Sequence, residues 1–207
     1  MINLYLIRHG QSEVNARPDE IGQSSNVILT DLGKDQSHKL GNRLKKDNII
    51  FDYIYSSPYI RALNTAQIVC QEQSNMIEVV SELREYSAGD WTGKSRSQTI
   101  SNDVRLRMAQ LGNGFLPPNG ESLHMVERRA SQWLEDKIIY NYDLFKTHTN
   151  IGIFSHGMTI KCLLHYIMGF DQAFTWKIAL ENTSITNLVF DNTGWRLITI
   201  NDFAHLR

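Results

Sequence analysis

Long apolar runs are missing from this chain, cysteine is scarce, and neither sign of charge dominates. No apolar stretch approaches the ~20 residues that a bilayer-spanning helix needs, so no contact with a membrane is expected. The two cysteines, Cys70 and Cys162, fall within predicted helices and lack metal-ligand spacing. That pattern argues against a disulfide framework and for two buried free thiols in reducing surroundings. With 21 basic and 22 acidic side chains, the net charge of −1 supplies no bulk field for nucleic acid or an anionic surface. A strand starting at Ile2 leaves no room for a signal peptide, and a cytoplasmic location is the expectation. Internal repeats, low-complexity tracts and linkers are absent as well. The 207 residues, 42% hydrophobic and 21% charged, therefore read as one domain with a substantial core.

Strand-like and helix-like patterns alternate along this domain. Ile2–Ile7 is an apolar run that reads as a buried strand, with Gly10–Glu13 after it as the entry to a helix. Thr30-Asp31 caps a helix with Leu32, Leu40 and Leu44 inward. Asp52–Tyr55 is a strand, and a helix from Pro58 turns Ile60, Leu63 and Cys70 inward, with Pro58 suited to its first turn. Met76–Val80 is another short strand. Leu123, Val126, Ala130, Trp133 and Ile138 form a helical stripe, and so do Ile160, Leu163, Leu164 and Ile167. Ser184–Phe190 and Trp195–Ile200 flank Asn192-Thr193-Gly194 as a β-hairpin. Gly112–Gly120 reads as a long surface loop. The fold class that follows is α/β, a three-layer α/β/α sandwich with a mostly parallel central sheet and an antiparallel edge.

Chemistry concentrates at two strand ends. Ile2–Ile7 runs into Arg8-His9-Gly10, and Ile151–Phe154 runs into Ser155-His156-Gly157. Ligands of α/β proteins bind at the carboxyl ends of strands, so the two turns suggest one site. A neutral, oriented imidazole can attack phosphorus, and the phosphoryl oxygens then need positive donors. Arg8 and Arg61 can fork onto oxygens, His156 can donate if protonated, and helix N-termini after Gly10 and Gly157 add backbone N–H groups. Cations around His9 lower its pKa and keep it neutral. The leaving oxygen needs a proton from a partly desolvated carboxylic acid, for which Glu82 and Glu85 are candidates, while Glu13 is explained by a helix dipole alone. A solvated helix charge is the plain alternative for Arg61, as it is for Lys94, Arg96, Arg105 and Arg107. His38, His124, His148, His165 and His205 have no motif support and are assigned to surface or packing, and Trp91 and Trp133 to packing of core or lid.

Leu6–Asn15 (LIRHGQSEVN) closely resembles the signature of the histidine phosphatase superfamily, in its phosphoglycerate-mutase-like branch. The resemblance continues through Ser56-Ser57-Pro58 with Arg61-Ala62 and Thr65-Ala66, through Leu83-Arg84-Glu85 and Gly89–Lys94, and through Gly120-Glu121-Ser122. It ends with Ser155-His156-Gly157, Asn182 and Ser184-Ile185, so the blocks run in order over nearly the whole chain. The resemblance implies that His9 is phosphorylated, that Arg8, Arg61 and His156 complete the phosphate pocket, and that Asn15 contacts phosphate. It makes Glu85 the general acid that later activates water. It implies no metal and no other cofactor, and it fits residues 1–207 as one domain with 86–120 as lid or insertion.

Departures from the pattern bear on substrate. Gly22–Thr30 lacks the usual rim-loop aspartate and proline, and Tyr86-Ser87-Ala88 replaces a bulkier stretch after Glu85, which suggests a wider pocket. The first reading is a metal-independent phosphatase of phosphomonoesters, with a small phosphorylated metabolite as partner. The alternative is a phosphoglycerate mutase. Family mutases usually carry a longer insertion that closes the site, whereas Ser95–Asn119 is short, and an open site lets water compete. A protein phosphatase and an inactive phosphate-binding adaptor rank below both. Neither nucleic acid nor membrane is an expected partner, and a homodimer is left open.

Overall fold

The computed structural model describes every residue except Gln23 and Lys146. In chain order the main elements are β1 (Ile2–Arg8), α1 (Asp31–Lys46), β2 (Tyr53–Ser56), α2 (Ile60–Val69), β3 (Ile77–Val79), α3 (Arg96–Thr99) and α4 (Asn102–Leu111). They are followed by α5 (Leu123–Leu134), β4 (Thr149–Ser155), α6 (Gly157–Met168), α7 (Phe174–Lys177), β5 (Ile185–Asp191) and β6 (Gly194–Asp202). The strands form one sheet in the order β3-β2-β4-β1-β5-β6. The first four of these are parallel, and β5 and β6 are antiparallel. This is the expected mixed α/β sheet.

Alternation along β1 builds a core on each face. Ile2, Leu4 and Leu6 pack with residues of α5 and α6, including Ala130, Leu134, Ile160 and Leu164. Ile7 points the other way, into a cluster with Leu40 and Leu44 of α1 and Ala66 and Val69 of α2. Thr30 caps α1 by accepting a hydrogen bond from Gly33 N at 3.0 Å. Trp133 meets Tyr55 edge to face, and Trp91 packs beside Phe115.

Several local expectations need correction. No helix follows Gly10; β1 leads into an irregular segment that lasts until α1. Side chains hold this segment in its irregular path: Gly10 N donates to Thr65 Oγ1, Gln11 N to Gln36 Oε1 and Ser12 N to Asn15 Oδ1. Pro18 then lacks the N–H that would continue a turn. Glu13 therefore sits at no helix start. Leu32 is exposed, and Ile60 and Leu63 are only half-buried, because α2 turns Arg61, Ala62 and Thr65 inward instead. Pro58 precedes the cap of α2, Tyr59, and lies outside its first turn. The stretch after α4 begins with a tight turn, and its Asn113 and Phe115 are buried, so it is not wholly surface. Gln23 of the rim loop lies outside the described residues.

Two glycines let the segment after β1 lie directly on α1. A Cβ on Gly10 would overlap the Gly33 carbonyl oxygen, and one on Gly33 would overlap that of Gln11. Gly33→Ala is expected to lower stability by about 1–3 kcal/mol through this overlap, although Ala is the better helix former. Leu32→Ala, one residue away and exposed, is expected to stay within about 0.5 kcal/mol. Urea midpoints at constant m-value measure both.

Candidate active site

The register of two strands brings the two histidines together. Arg8 of β1 pairs with Ser155 of β4, so His9 and His156 leave the sheet side by side. His9 N donates to Ser155 O at 3.0 Å, and the two imidazole centroids lie 5.1 Å apart. On the other side of β4, β2 ends at Ser56 and delivers Ser57 against His156. Both histidines are fully buried.

Hydrogen bonds assign the tautomer of His9. Its Nδ1 lies 2.6 Å from the Gly10 carbonyl oxygen, which can only accept, so Nδ1 carries the proton. The Nε2 lone pair then accepts from Arg61 Nε at 3.2 Å. Ser57 Oγ accepts from Tyr59 N at 3.2 Å and pairs with His156 Nε2 at 2.7 Å, a contact in which either group can donate. His156 Nδ1 is buried and meets no partner among the described residues.

Arg61 is wholly buried, so the solvated-charge alternative does not apply to it. Its Nη1 donates to Ser24 O at 2.9 Å, its guanidinium lies over the Tyr59 ring, and its Nη2 has no partner among the described residues. Arg8 Nη1 donates to Leu180 O, while Arg8 Nε, facing Gly157, has no partner among them either. Three buried nitrogens, Arg8 Nε, Arg61 Nη2 and His156 Nδ1, thus meet no partner among the described residues, and their side chains all act on or pack against His9. Each costs free energy unless a partner meets it, and a phosphoryl group offers several acceptor oxygens. Gly157 opens α6, where the N–H of a first-turn residue has no acceptor within the helix.

Burial dominates the electrostatics. The imidazoles of His9 and His156 are held well below the ordinary value of 6.5, first by desolvation and then by the guanidinium groups. Cationic neighbours, the cause expected from sequence, come second. Burial also lowers Arg61 to about 10, which leaves it charged at neutral pH.

Glu85 lies at the same helix end. Its carboxylate accepts from Met158 N at 3.3 Å, from Thr159 N at 3.2 Å and from Tyr86 N at 2.8 Å. Its charge acts on both Arg8 and Arg61. Glu82, the other candidate, lies in a short turn whose carbonyl accepts from Arg129. Asn15 Oδ1 accepts from Ser12 N and from Ser12 Oγ at 2.9 Å, which ties Asn15 to the segment after His9.

Other residues at the site had no assigned role in the sequence reading. Ser57 orients His156. Asn182 Nδ2 donates to the His9 carbonyl oxygen at 2.9 Å. Thr183, buried and in the left-handed region at φ 57°, donates its N–H to the Arg8 carbonyl oxygen at 3.0 Å. A β-branched residue adopts that conformation only where its surroundings impose it. Buried Glu121 takes two bonds from Arg129 at 2.9 and 3.0 Å and one from Arg84 at 2.8 Å, and Arg129 also donates to the Glu85 carbonyl oxygen. The Gly120-Glu121-Ser122 block signalled Glu121, but its partners eight and 37 residues away carry no spacing rule.

Beside Glu85 and Asn15 lies a cavity of about 470 Å³. Tyr86 and Ala88, the departures that suggested a wider pocket, both line it, and so does Arg96, while Arg105 and Arg107 are exposed.

The model of the histidine phosphatase superfamily (branch 1) matches residues 4–203. A Hydrogenobacter thermophilus protein provisionally named phosphoserine phosphatase 2 is 30% identical over all of this chain and 98% of its own length. A Shigella dysenteriae protein provisionally named a phosphoglycerate mutase is 29% identical, covering 100% of this chain and 95% of its own. A histidine-to-alanine mutant of phosphoserine phosphatase from Entamoeba histolytica, solved with phosphoserine, superposes with a TM-score of 0.85 at 26% identity over 100% of both chains. The phosphatase of that organism has also been solved with 3-phosphoglyceric acid, and it superposes at a TM-score of 0.84 and 27% identity over 100% of both chains. With its family model matched almost end to end, this chain belongs to branch 1 of the histidine phosphatase superfamily.

Proposed function

We propose that this chain is a metal-independent phosphatase that hydrolyses phosphomonoesters of small metabolites through phosphorylated His9. The observation that carries this reading is the set of buried nitrogens on Arg8, Arg61 and His156 that meet no partner among the described residues, beside an imidazole whose Nε2 bears the lone pair. The Arg61 Nε–H that rests on that lone pair redirects its hydrogen bond to a phosphoryl oxygen when a monoester enters, and Arg61 stays protonated. Nε2 then attacks phosphorus, and the bond from phosphorus to the leaving oxygen breaks. Arg8, Arg61, His156 and the Gly157 N–H hold the charge on the other oxygens. Asn15 lies at the edge of this pocket.

Glu85 in its acid form protonates the leaving oxygen. Its carboxylate then takes a proton from the water that attacks the phosphohistidine, the N–P bond breaks, and inorganic phosphate leaves with His9 restored. The Glu121–Arg129 pair holds the backbone of Glu85 and is a positioning device for it.

Hydrolysis is favoured over transfer to a bound phosphoglycerate because the cavity reaches solvent, with exposed Arg17, Arg96 and Trp176 among its lining residues. Water therefore has a route to the phosphoenzyme. Residues 86–120, which include α3 and α4, supply one wall and act as its lid. The phosphoserine and 3-phosphoglycerate bound by the Entamoeba relative are consistent with a small phosphorylated substrate.

Three outcomes test this reading. His9→Ala is expected to cut phosphate release at least about a thousandfold and to abolish an acid-labile phosphoenzyme, while chelators leave the native enzyme active. Glu85→Gln is expected to slow alkyl phosphates by about 10²–10⁴-fold and aryl phosphates far less; equal losses would remove Glu85 as proton donor. The third outcome concerns pH. His9 and His156 stay neutral in the fold, but an unfolded histidine binds a proton below about 6.5. The unfolded chain thus binds more protons below that pH. Stability is at its full value above pH 6.5 and declines below it, by up to about 1.4 kcal/mol per pH unit for each group, until the lowered folded-state pKa is passed. Urea unfolding at pH 7.5, 6.5 and 5.5 measures this, and equal stability at 6.5 and 5.5 would contradict the neutral assignment.

A further inference from the structure

The cavity beside Glu85 is built for carbon. Its walls include Ile21, Tyr86, Met108, Phe115, Leu123 and Trp176, and Ile21, Phe115 and Leu123 are buried. Its charged side chains other than Glu85 are Arg17, Glu20 and Arg96. Arg17 and Glu20 satisfy each other at 3.0 Å, and exposed Arg96 acts on the carboxylate of Asp19. Among the described residues, the cavity presents no buried cation for a substrate carboxylate and, beyond Glu85, no buried carboxylate for an ammonium group.

An amino acid or glycerate ester would find cations only at the exposed Arg17 and Arg96 of the rim, and any carboxylate carried deeper would meet the apolar wall, where an unpaired charge is strongly disfavoured. A hydrocarbon group gains there instead. The volume of about 470 Å³ falls in the range of roughly 300–1,000 Å³ that takes up drug-sized ligands, far more than a three-carbon acid fills. Glu85 lines this cavity and also faces the phosphate cluster, so the leaving group that it protonates would extend into the apolar space.

We propose that the preferred substrates are phosphomonoesters of apolar alcohols, with an alkyl or ring system of about six carbons or more, rather than phosphoserine or phosphoglycerate. This rests on the hydrolase reading above and names its substrate class. Each methylene moved from water into the cavity is worth about fourfold in kcat/KM.

The test is phosphate release by the native enzyme from ethyl, butyl, hexyl and octyl phosphates, phosphoserine and 3-phosphoglycerate, with Met108→Glu assayed alongside. The leaving alcohols of the alkyl series differ little in acidity, so chain length reports the cavity. The expected result is a rise of about fourfold per methylene up to hexyl, with hexyl phosphate at least about 100-fold above phosphoserine, and a flattened series in Met108→Glu. A flat or falling series in the native enzyme, a slope that Met108→Glu leaves intact, or a preference for phosphoserine or phosphoglycerate would overturn the substrate class while leaving the hydrolase reading in place. Should Met108→Glu fail to fold, Trp176→Ala, at a position 61% exposed, replaces it with the same expectation. Failure to release phosphate from any ester, with no phosphohistidine formed, would overturn the hydrolase reading itself.

Discussion

The parallel pairing of β1 with β4 is the constraint on which the site depends. Setting Arg8 opposite Ser155 places the next residue of each strand, His9 and His156, at the same level beyond the sheet. A one-residue slip would turn one of the two side chains to the opposite face and dissolve the cluster. The slip is opposed by both cores at once, because the same register sends Leu4 and Leu6 to the α5–α6 layer and Ile7 to the α1–α2 layer. The geometry of the phosphate pocket is thereby held by the hydrophobic packing of the whole domain.

A second constraint is electrostatic. Two guanidinium groups and two imidazoles share one dry pocket, which lowers the imidazoles and keeps them neutral. The arrangement is tolerable because the rings shed their charge and because Glu85 faces both arginines. The buried donors that meet no protein acceptor are matched by the oxygens of an incoming phosphoryl group. Stability and function are coupled at this point: the features that weaken the free fold are those that bind the substrate's anion. Around them, Ser57, Asn182, Thr183 and Arg129 fix the orientation of groups that would otherwise rotate.

Much of this was legible in the residues. The two strand–His-Gly turns, the helical stripes of α5 and α6 and the β5–β6 hairpin follow from periodicities of 3.6 and 2 and from turn chemistry, which are local properties. Errors arose where tertiary contacts overrode local preference. The segment after Gly10 resembles a helix entry, but Gln36 of α1 and Thr65 of α2, distant in sequence, bond Gln11 N and Gly10 N and hold it in an irregular path. Arg61 was read as a phosphate donor with a solvated charge as the plain alternative, and the packing of α2, which turns it inward with Ala62 and Thr65, removes that alternative.

The sequence by itself determined the fold class, the family and the residue types of the phosphate pocket, because strand ends and motif spacing are encoded in consecutive residues. The tertiary structure alone decided which nitrogen of His9 carries the proton, which buried nitrogens meet no protein partner, and what lines the space beside Glu85. Those properties arise from groups distant in the chain, such as Gly10 with Thr65, Ser57 with His156, and Ile21 with Phe115 and Trp176. Tautomers and cavity walls depend on what meets in space, and no local pattern records that meeting.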